Sequence, residues 1–265
     1  MPSVLSFEKD IDKQLQKHVK KHIRKVIEYC RDKNMSDDKA IHQIRRRFKK
    51  LRALLHIFSC DLKKGFFKEQ NELYKTYATK CSKVRDTKVL EDLYFKIVQK
   101  YSLDQDSYLK ILALIKNSKE HIDIKELRDT IGKALKENLS NLRDYTFQNN
   151  KDKVIFDNIN KVYKQVRFYS GEVKCKDDDV KYHSLRKWLN YYFYQSQLFK
   201  NSDKKRNKQI KHLISTLGEI HDITVFKEFL QRTPYNDQND FVTALYQEQQ
   251  ILKSVALELV RKLML

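Results

Sequence analysis

The chain has 265 residues and a formal net charge of +20, because 55 lysine and arginine residues outnumber 35 aspartate and glutamate residues. It contains only 4 glycine and 2 proline residues, far fewer than average usage would give. So few chain breakers argue against hairpin-rich and α/β folds and favour long helices. Hydrophobic residues make up 40% of the chain, which excludes a disordered protein.

The positive charge predicts a polyanionic partner: nucleic acid, an anionic membrane or an inorganic phosphate polymer. No apolar run reaches the ~18 residues that a membrane-spanning helix needs. The N-terminal MPSVLSFEKD lacks the basic and apolar segments of a signal peptide. Four scattered cysteines without a CxxC pair are predicted to be reduced thiols, most of them in the core. We therefore expect a cytoplasmic protein that does not enter the membrane.

Hydrophobic periodicity typical of α-helices runs through almost the whole chain, so an all-α fold is predicted. The helices are expected at about residues 7–33, 37–62, 65–82, 86–101, 105–118, 121–149, 152–172, 178–200, 204–218, 222–231 and 237–264. Gly65 and Gly171 are predicted to lie where helices end. Four polar residues are predicted to begin helices as N-caps: Ser36, Asp86, Ser202 and Asp222.

Two pairs of segments indicate an internal repeat. DDKAIHQIR at 37–45 resembles DDVKYHSLR at 178–186, and KVRDTKVL at 83–90 resembles EIHDITVF at 219–226. The two matches occur in the same order along the chain. The repeat predicts two related helical bundles that face each other, with a groove where equivalent helices meet.

The first repeated helix, within IHQIRRRFKKLRALLHIF, is strongly basic. It has six lysine and arginine residues between His42 and Arg52 and no acidic residue among them. At 100° per residue, five basic side chains form a stripe about 80° wide: His42, Arg45, Lys49, Arg52 and His56. Arg46 and Lys50 lie beside this stripe. A separate apolar arc contains Ile41, Ile44, Phe48, Leu51, Leu54, Leu55 and Phe58, with Arg47 at its edge.

Repulsion among these charges would destabilise an isolated helix. Five like-charged pairs three or four residues apart cost about 1–2.5 kcal/mol together. Nearby carboxylates or a bound polyanion would offset this repulsion. A solvated basic face without a ligand is the alternative interpretation.

The equivalent second helix is less basic. His183 and Arg186 occupy the first two positions of the stripe, and Lys187 lies beside it. The next stripe positions hold no further cation: Asn190, Phe193 and Gln197. The two helices are therefore predicted to contribute unequally to a binding surface.

These motifs resemble the CHAD domain, the conserved histidine α-helical domain. Its hallmark His-x-x-Arg-x-x-x-(Arg/Lys)-(Arg/Lys)-Leu-Arg matches His42, Arg45, Lys49, Lys50, Leu51 and Arg52 in full. Its second motif, Leu-Gly-x-x-x-Asp, matches Leu217, Gly218 and Asp222, and the counterpart Arg-Asp stands as Arg85 and Asp86. The chain departs from the family pattern at five positions: Cys81, Ser82, Asn190, Tyr191 and Phe193.

The resemblance implies a single domain made of two four-helix-bundle-like halves, about 1–120 and 121–265. It implies pseudo-twofold symmetry and a basic central channel that binds inorganic polyphosphate, with localisation at polyphosphate granules as a further expectation. No catalytic residue, metal or cofactor is predicted. The expected polyphosphate ligands are His42, Arg45, Arg46, Lys49, Lys50, Arg52, His183, Arg186 and Lys187.

Other basic residues are secondary candidates for the same surface: His56, Lys21, Lys25, Arg85, Lys208, Lys211 and His212. For the lysines a solvated helix face is the simpler interpretation. The aromatic segment WLNYYFYQSQLF is suited to stacking with bases, but its apolar spacing favours core packing.

Three alternatives stay open at this point. Acidic residues before the two motif helices, Asp37, Asp38, Asp178 and Asp179, are suited either to hold Mg²⁺ or to stabilise helix N-termini, and the second interpretation is favoured. A nucleic-acid-binding protein is less favoured, because no helix-turn-helix, RRM or zinc-finger motif is found. A phosphohydrolase lacks support, because no suitable constellation of carboxylates is found. The sequence does not indicate an oligomeric state.

Overall fold

The computed structural model describes residues 4–59, 61–63, 65–104, 109–118, 122–147, 151–174, 179–199, 203–233 and 240–263. These residues form an all-helical protein, as predicted. The α-helices are α1 (Ile11–Arg31), α2 (Asp37–Phe58), α3 (Phe66–Lys100), α4 (Leu109–Asn117), α5 (Ile124–Asn138), α6 (Lys151–Glu172), α7 (Asp179–Ser196), α8 (Lys204–Gln231) and α9 (Asp240–Leu263). A short 3-10 helix, Leu139–Asp144, follows α5.

Two predicted helix breaks are absent. The predicted helices at 65–82 and 86–101 form the single helix α3, and those at 204–218 and 222–231 form α8. The prediction that Asp86 and Asp222 are N-caps is therefore wrong, since both lie inside helices. No proline lies near either position, and one glycine, Gly218, is too weak a breaker to end a helix that packing stabilises.

Other predicted boundaries agree better with the structure. Ser36 is the N-cap residue of α2, although its side chain makes no capping hydrogen bond. Gly65 precedes α3 with a φ of 87°, a left-handed conformation that glycine adopts without steric cost. Gly171 lies in the last turn of α6. Ser202 and Asp178 lie outside the described residues.

The chain forms two compact units, and each combines segments from both halves of the sequence. Unit 1 contains residues Met1–Val84, His121–Gln165 and Trp188–Asp203, and unit 2 contains Arg85–Glu120, Val166–Lys187 and Lys204–Leu265. Three of the five boundaries between the units fall within helices, in α3, α6 and α7. The compact units divide the chain differently from the predicted halves at 1–120 and 121–265. The halves follow the sequence repeat and stay a prediction.

In unit 1, α1 packs against α2 and α5 around an apolar core. The entire predicted apolar arc of α2 is buried in this core: Ile41, Ile44, Phe48, Leu51, Leu54, Leu55 and Phe58. Burial of these side chains supplies most of the driving force for placing α2. Cys30 and Cys81 are buried free thiols in the same core, as predicted for core cysteines. The other two cysteines, Cys60 and Cys175, lie outside the described residues.

A buried arginine holds the turn that leads into α2. The Arg128 guanidinium on α5 donates to the carbonyl oxygens of Tyr29, Cys30 and Asp32 at 3.0, 3.2 and 2.5 Å. It also forms an ion pair with the Asp37 carboxylate at 2.6 Å. These contacts fix the end of α1 against the first turn of α2. Asp37 thus acts as a helix N-terminal acid with a cationic partner.

In unit 2, α8 packs against α9, and a second apolar core forms among segments of α3, α4, α8 and α9. Asp179, in the first turn of α7, contacts Lys253 of α9 and Lys227 of α8. It serves as the helix N-terminal acid that was predicted. None of the helices in the described segments combines the length and apolar composition needed to span a bilayer.

Candidate anion-binding surfaces

The basic stripe of α2 adjoins the apolar arc that is buried in the core of unit 1. Its motif residues are half-buried at His42, Arg45, Lys49, Lys50 and Arg52, and Arg46 is exposed. The apolar arc of α2 is therefore buried, and the motif cations beside it stay partly accessible. One turn of helix, about 5.4 Å, separates successive cations along the stripe.

Aromatic side chains of α7 lie beneath two of these cations. The Arg52 guanidinium carbon is 5.7 Å from the ring centroid of Tyr191, and Lys50 Nζ is 5.4 Å from that of Tyr194. Arg52 Nε also donates to Asn71 Oδ1 on α3 at 3.1 Å. These cation–π and hydrogen-bond contacts orient both cations without neutralising their charge.

His56 is enclosed by aromatic rings of unit 1. Its ring centroid lies 4.5 Å from that of Tyr191, 5.3 Å from that of Phe67 and 5.8 Å from that of Trp188. His56 thus helps to pack the aromatic cluster on which Arg52 rests. The predicted core role of the WLNYYFYQSQLF segment is confirmed here, because Tyr191 is buried with Ala53 and Val162.

A contact between α1 and α2 extends the basic region. Arg47, predicted to lie at the edge of the apolar arc, reaches across to His22, with 3.0 Å between Arg47 Nη1 and His22 Nδ1. Burial, reinforced by the positive charges of Arg47 and Lys50, lowers the pKa of His22 to about 3. His22 is therefore neutral at physiological pH, and its Nδ1 can accept the hydrogen bond from Arg47.

Four cations of α2 have no carboxylate partner in the part of the chain that the structure describes. Among the described residues, no carboxylate forms an ion pair with Arg46, Arg47, Lys50 or Arg52. Burial, together with the nearby charges of Arg47, Arg46 and Lys21, lowers the pKa of Lys50 to about 8. An anion placed here would relieve this repulsion.

The second motif lies in unit 2, on the first turns of α7. His183 and Lys187 are exposed, and Arg186 is half-buried. The Arg186 guanidinium lies against α8, and a Cβ built on Gly218 would stand 3.5 Å from Arg186 Nη2. Burial lowers the pKa of Arg186, and the nearby Asp222 charge opposes that shift. The Arg186 guanidinium thus lies beside Gly218 and near the Asp222 charge, two residues of the Leu-Gly-x-x-x-Asp motif on α8.

The structure adds His221 to this second site. Its Nδ1 lies 3.3 Å from His183 Nδ1, and the two ring centroids are 4.7 Å apart. His221 was not among the binding residues predicted from the sequence. The relevant neighbour is on another helix, so spacing along the chain could not identify it.

The secondary candidates have different surroundings. Lys21 is exposed and lines a groove along α1, whereas Lys25 forms an ion pair with Glu28 at 2.5 Å. Arg85 is half-buried within α3. Three candidates on α8 are exposed in unit 2: Lys208, Lys211 and His212.

Sequence reasoning missed the neutral groups that orient the α2 cations. Asn71 and Tyr191 contact Arg52, and Tyr194 contacts Lys50. The family pattern marks Tyr191 only as a position where a basic residue is expected. The one signal available was the density of tyrosines in the second motif helix. Among the described residues, no group of three or more His, Cys, Asp or Glu side chains is placed to hold a metal ion.

The described residues form an all-helical protein in which cations of α2 contact tyrosine rings of α7. His183, Arg186 and His221 form a second, smaller site. A model of the CHAD domain family matches residues 13–231, and the chain belongs to the CHAD family. Among solved structures, PptA from Streptomyces chartreusis is similar, with a TM-score of 0.62 and 13% identity over 96% of this chain and 98% of that chain. That identity is low enough that the similarity shows the fold alone. No curated protein sequence matches the chain.

Proposed function

We propose that the protein binds inorganic polyphosphate without transforming it, and that α2 provides the principal contact surface. The observation that carries this proposal is that four cations of α2 form no ion pair with a carboxylate of the described residues: Arg46, Arg47, Lys50 and Arg52. Such unbalanced charge at the rim of a core is costly unless an anion accompanies it.

The chemistry of the ligand fits this arrangement. Polyphosphate is a flexible chain of negative charges without bases, so it is held by charge and by hydrogen bonds to phosphate oxygens. Arginine presents several N–H donors in a planar fork that can bind two such oxygens together. The aromatic rings that contact Lys50 and Arg52 are buried or half-buried in unit 1, which leaves few free faces for stacking with nucleobases.

The remaining elements of the proposal come from the family resemblance. They are a basic central channel between pseudo-symmetric halves, a contribution from His183, Arg186 and Lys187, and a cytoplasmic location at polyphosphate granules. A nucleic-acid-binding role and a phosphohydrolase role are the competing functions. Phosphate release from tripolyphosphate or polyphosphate in the presence of Mg²⁺ or Mn²⁺ would favour the hydrolase.

Ligand binding is expected to stabilise the folded protein. Saturating polyphosphate should raise the melting temperature, because a ligand that binds only the folded state shifts the equilibrium toward it. At a free concentration 100-fold above Kd the stabilisation is about 2.7 kcal/mol. Thermal scans with polyphosphate and with orthophosphate at equal phosphorus concentration measure the effect. An unchanged melting temperature at saturating polyphosphate would contradict the proposal.

Lys50 should make binding dependent on pH. Its pKa of about 8 in the free protein means that it loses its charge at a lower pH than an ordinary lysine. A bound anion raises that pKa, so binding above pH 8 requires proton uptake and weakens by as much as about tenfold per pH unit. Lys50→Arg keeps its charge and should show a flatter affinity profile between pH 8 and 10.

Titration calorimetry at several pH values checks this difference. The control is Lys133→Arg, a change at an exposed lysine of α5 in unit 1. It should retain the profile of the unmodified protein. Parallel profiles for Lys50→Arg and the unmodified protein would show that Lys50 does not face the ligand.

A further inference from the structure

A second basic surface runs along the full length of α1. On a helical wheel, five cations of α1 fall on a stripe about 60° wide, and all are exposed: Lys13, Lys17, Lys20, Arg24 and Arg31. We call this set the α1 ridge. From Lys13 to Arg31 it extends about 27 Å, with one cation near each turn except at Glu28.

Most of the ridge has no acidic partner. Lys13 Nζ lies 3.2 Å from Asp10, but within the described segments no carboxylate forms an ion pair with Lys17, Lys20 or Arg24. Arg143, from the 3-10 helix, lines a groove along one side of the ridge together with Lys13, Lys17 and Lys20. Lys17, Lys20 and Arg24 therefore form a linear array of charge along α1 that no carboxylate of the described segments pairs with.

Basic residues connect the ridge to α2 within unit 1. Lys21 lies between the ridge and the α2-facing side of α1, and it shares a second groove with Lys17, Lys20 and Arg24. On the far side of Lys21, His22 contacts Arg47 at 3.0 Å. Lys21 is also close enough to Lys50 for its charge to act on that ammonium group. Charged side chains thus extend from the α1 ridge through Lys21 toward Lys50, which lies beside the α2 stripe.

We propose that the α1 ridge is a second track for the polyanion bound by α2, so that a long polyphosphate chain occupies both surfaces of unit 1. This inference rests on the proposed function. A chain already held by α2 would meet the ridge at a high effective concentration, and its affinity would rise with length. A short chain would occupy the α2 stripe alone.

The composition of α1 favours this ligand over other polyanions. No large apolar side chain is exposed on α1, so the ridge lacks the anchor by which an amphipathic helix enters a membrane. The one aromatic residue of α1, Tyr29, contacts Arg47 and leaves the ridge without a stacking platform for bases. A flexible chain of phosphates needs only the charges that are present.

The test compares how the 265-residue protein binds polyphosphates of different chain length. Lys17→Ala, Lys20→Ala and Arg24→Ala are combined in one ridge variant, in which alanine preserves helix propensity. The matched control removes three exposed lysines from α5 of the same unit: Lys125→Ala, Lys133→Ala and Lys136→Ala. Circular dichroism verifies the helix content of both variants, and calorimetry measures the binding of tripolyphosphate and of long-chain polyphosphate.

The ridge variant should lose about tenfold in affinity for long-chain polyphosphate. Its affinity for tripolyphosphate should change by less than about twofold, and the α5 control should show only that small effect with both ligands. Equal losses in the ridge variant and the α5 control would overturn the proposal, because net charge alone would explain them. A loss confined to RNA binding would also overturn it. Failure of the unmodified protein to bind either phosphate ligand would instead refute the proposed function.

Discussion

Replacing Arg45, Lys49 and Arg52 together by alanine should weaken polyphosphate binding at least about tenfold more than replacing Arg186 and Lys187, a difference of about 1.4 kcal/mol. A well-formed hydrogen bond to a charged group contributes about 1.5–3 kcal/mol. The α2 stripe offers three such contacts, with Arg46 and Lys50 beside them. Titration calorimetry at one salt concentration measures the difference.

Folding must be checked in both variants. The α2 substitutions leave the buried apolar arc intact, and alanine is a strong helix former. Arg186 packs against α8 beside Gly218, so its removal affects packing as well as charge. Circular dichroism and melting temperatures separate these effects, and Lys187→Ala alone provides a variant that changes an exposed side chain. Equal affinity losses in the two variants would show that α2 is not the dominant surface.

Asp179→Ala should destabilise the protein by about 3 kcal/mol, because it removes the carboxylate that neutralises a buried ammonium group. Lys253 is only 5% exposed, and its Nζ lies 2.7 Å from Asp179 Oδ1 as an ion pair. Asp179 Oδ2 accepts hydrogen bonds from Thr224 at 2.9 Å and Gln249 at 3.0 Å. Lys227 adds a second cation at 3.5 Å. Denaturant unfolding measures the loss in free energy.

A double variant identifies the cause of this loss. Adding Lys253→Met to Asp179→Ala removes the buried charge that the carboxylate neutralised and should recover a large part of the stability. If the double variant were less stable than Asp179→Ala, the buried ion pair would not be the source of the effect.

The same carboxylate predicts a dependence on acid. Burial opposes ionisation of Asp179, but hydrogen bonds from Lys253 and Thr224 and the charge of Lys227 lower its pKa from 3.8. A carboxylate with a lowered folded-state pKa contributes stability above its unfolded pKa and loses it as the pH falls through the folded value. The stability difference between the unmodified protein and Asp179→Ala should therefore shrink below about pH 4.

Local periodicity was sufficient to predict α2. Its apolar residues recur at helical spacing, and burial of one such face is the strongest constraint on a surface helix of a globular protein. The division of α2 into a buried arc and a cationic stripe was correct for this reason. Arg47 was also placed correctly at the edge, although its contact with His22 depends on how α1 packs and was not predictable.

Local patterns could not distinguish a residue inside a helix from a residue that begins one. Asp86 and Asp222 are residue types that favour N-caps, but an N-cap also requires a break in helical backbone geometry. Nothing in KVRDTKVL or EIHDITVF imposes that break, so α3 and α8 continue through both positions. The N-caps predicted at Asp86 and Asp222 are therefore wrong, and the internal repeat stays a prediction.

The partners of the basic residues were the least predictable part of the candidate site. Tyr191 and Tyr194 follow the second motif, and the family pattern presents Tyr191 as a lost cation. In the structure they contact the cations of the first motif helix, Arg52 and Lys50. That contact joins residues more than a hundred positions apart, which neither spacing nor composition of one segment can reveal.

The central claim, that this protein prefers inorganic polyphosphate to other polyanions, is tested most directly by competition across a salt series. Labelled long-chain polyphosphate is bound at each salt concentration and challenged with RNA at equal and excess phosphate charge. Affinity should fall steeply and log-linearly with salt, as for other polyelectrolytes, and excess RNA should leave most of the polyphosphate bound. Displacement by RNA at equal charge, or an affinity that is flat from low to physiological salt, would contradict the account.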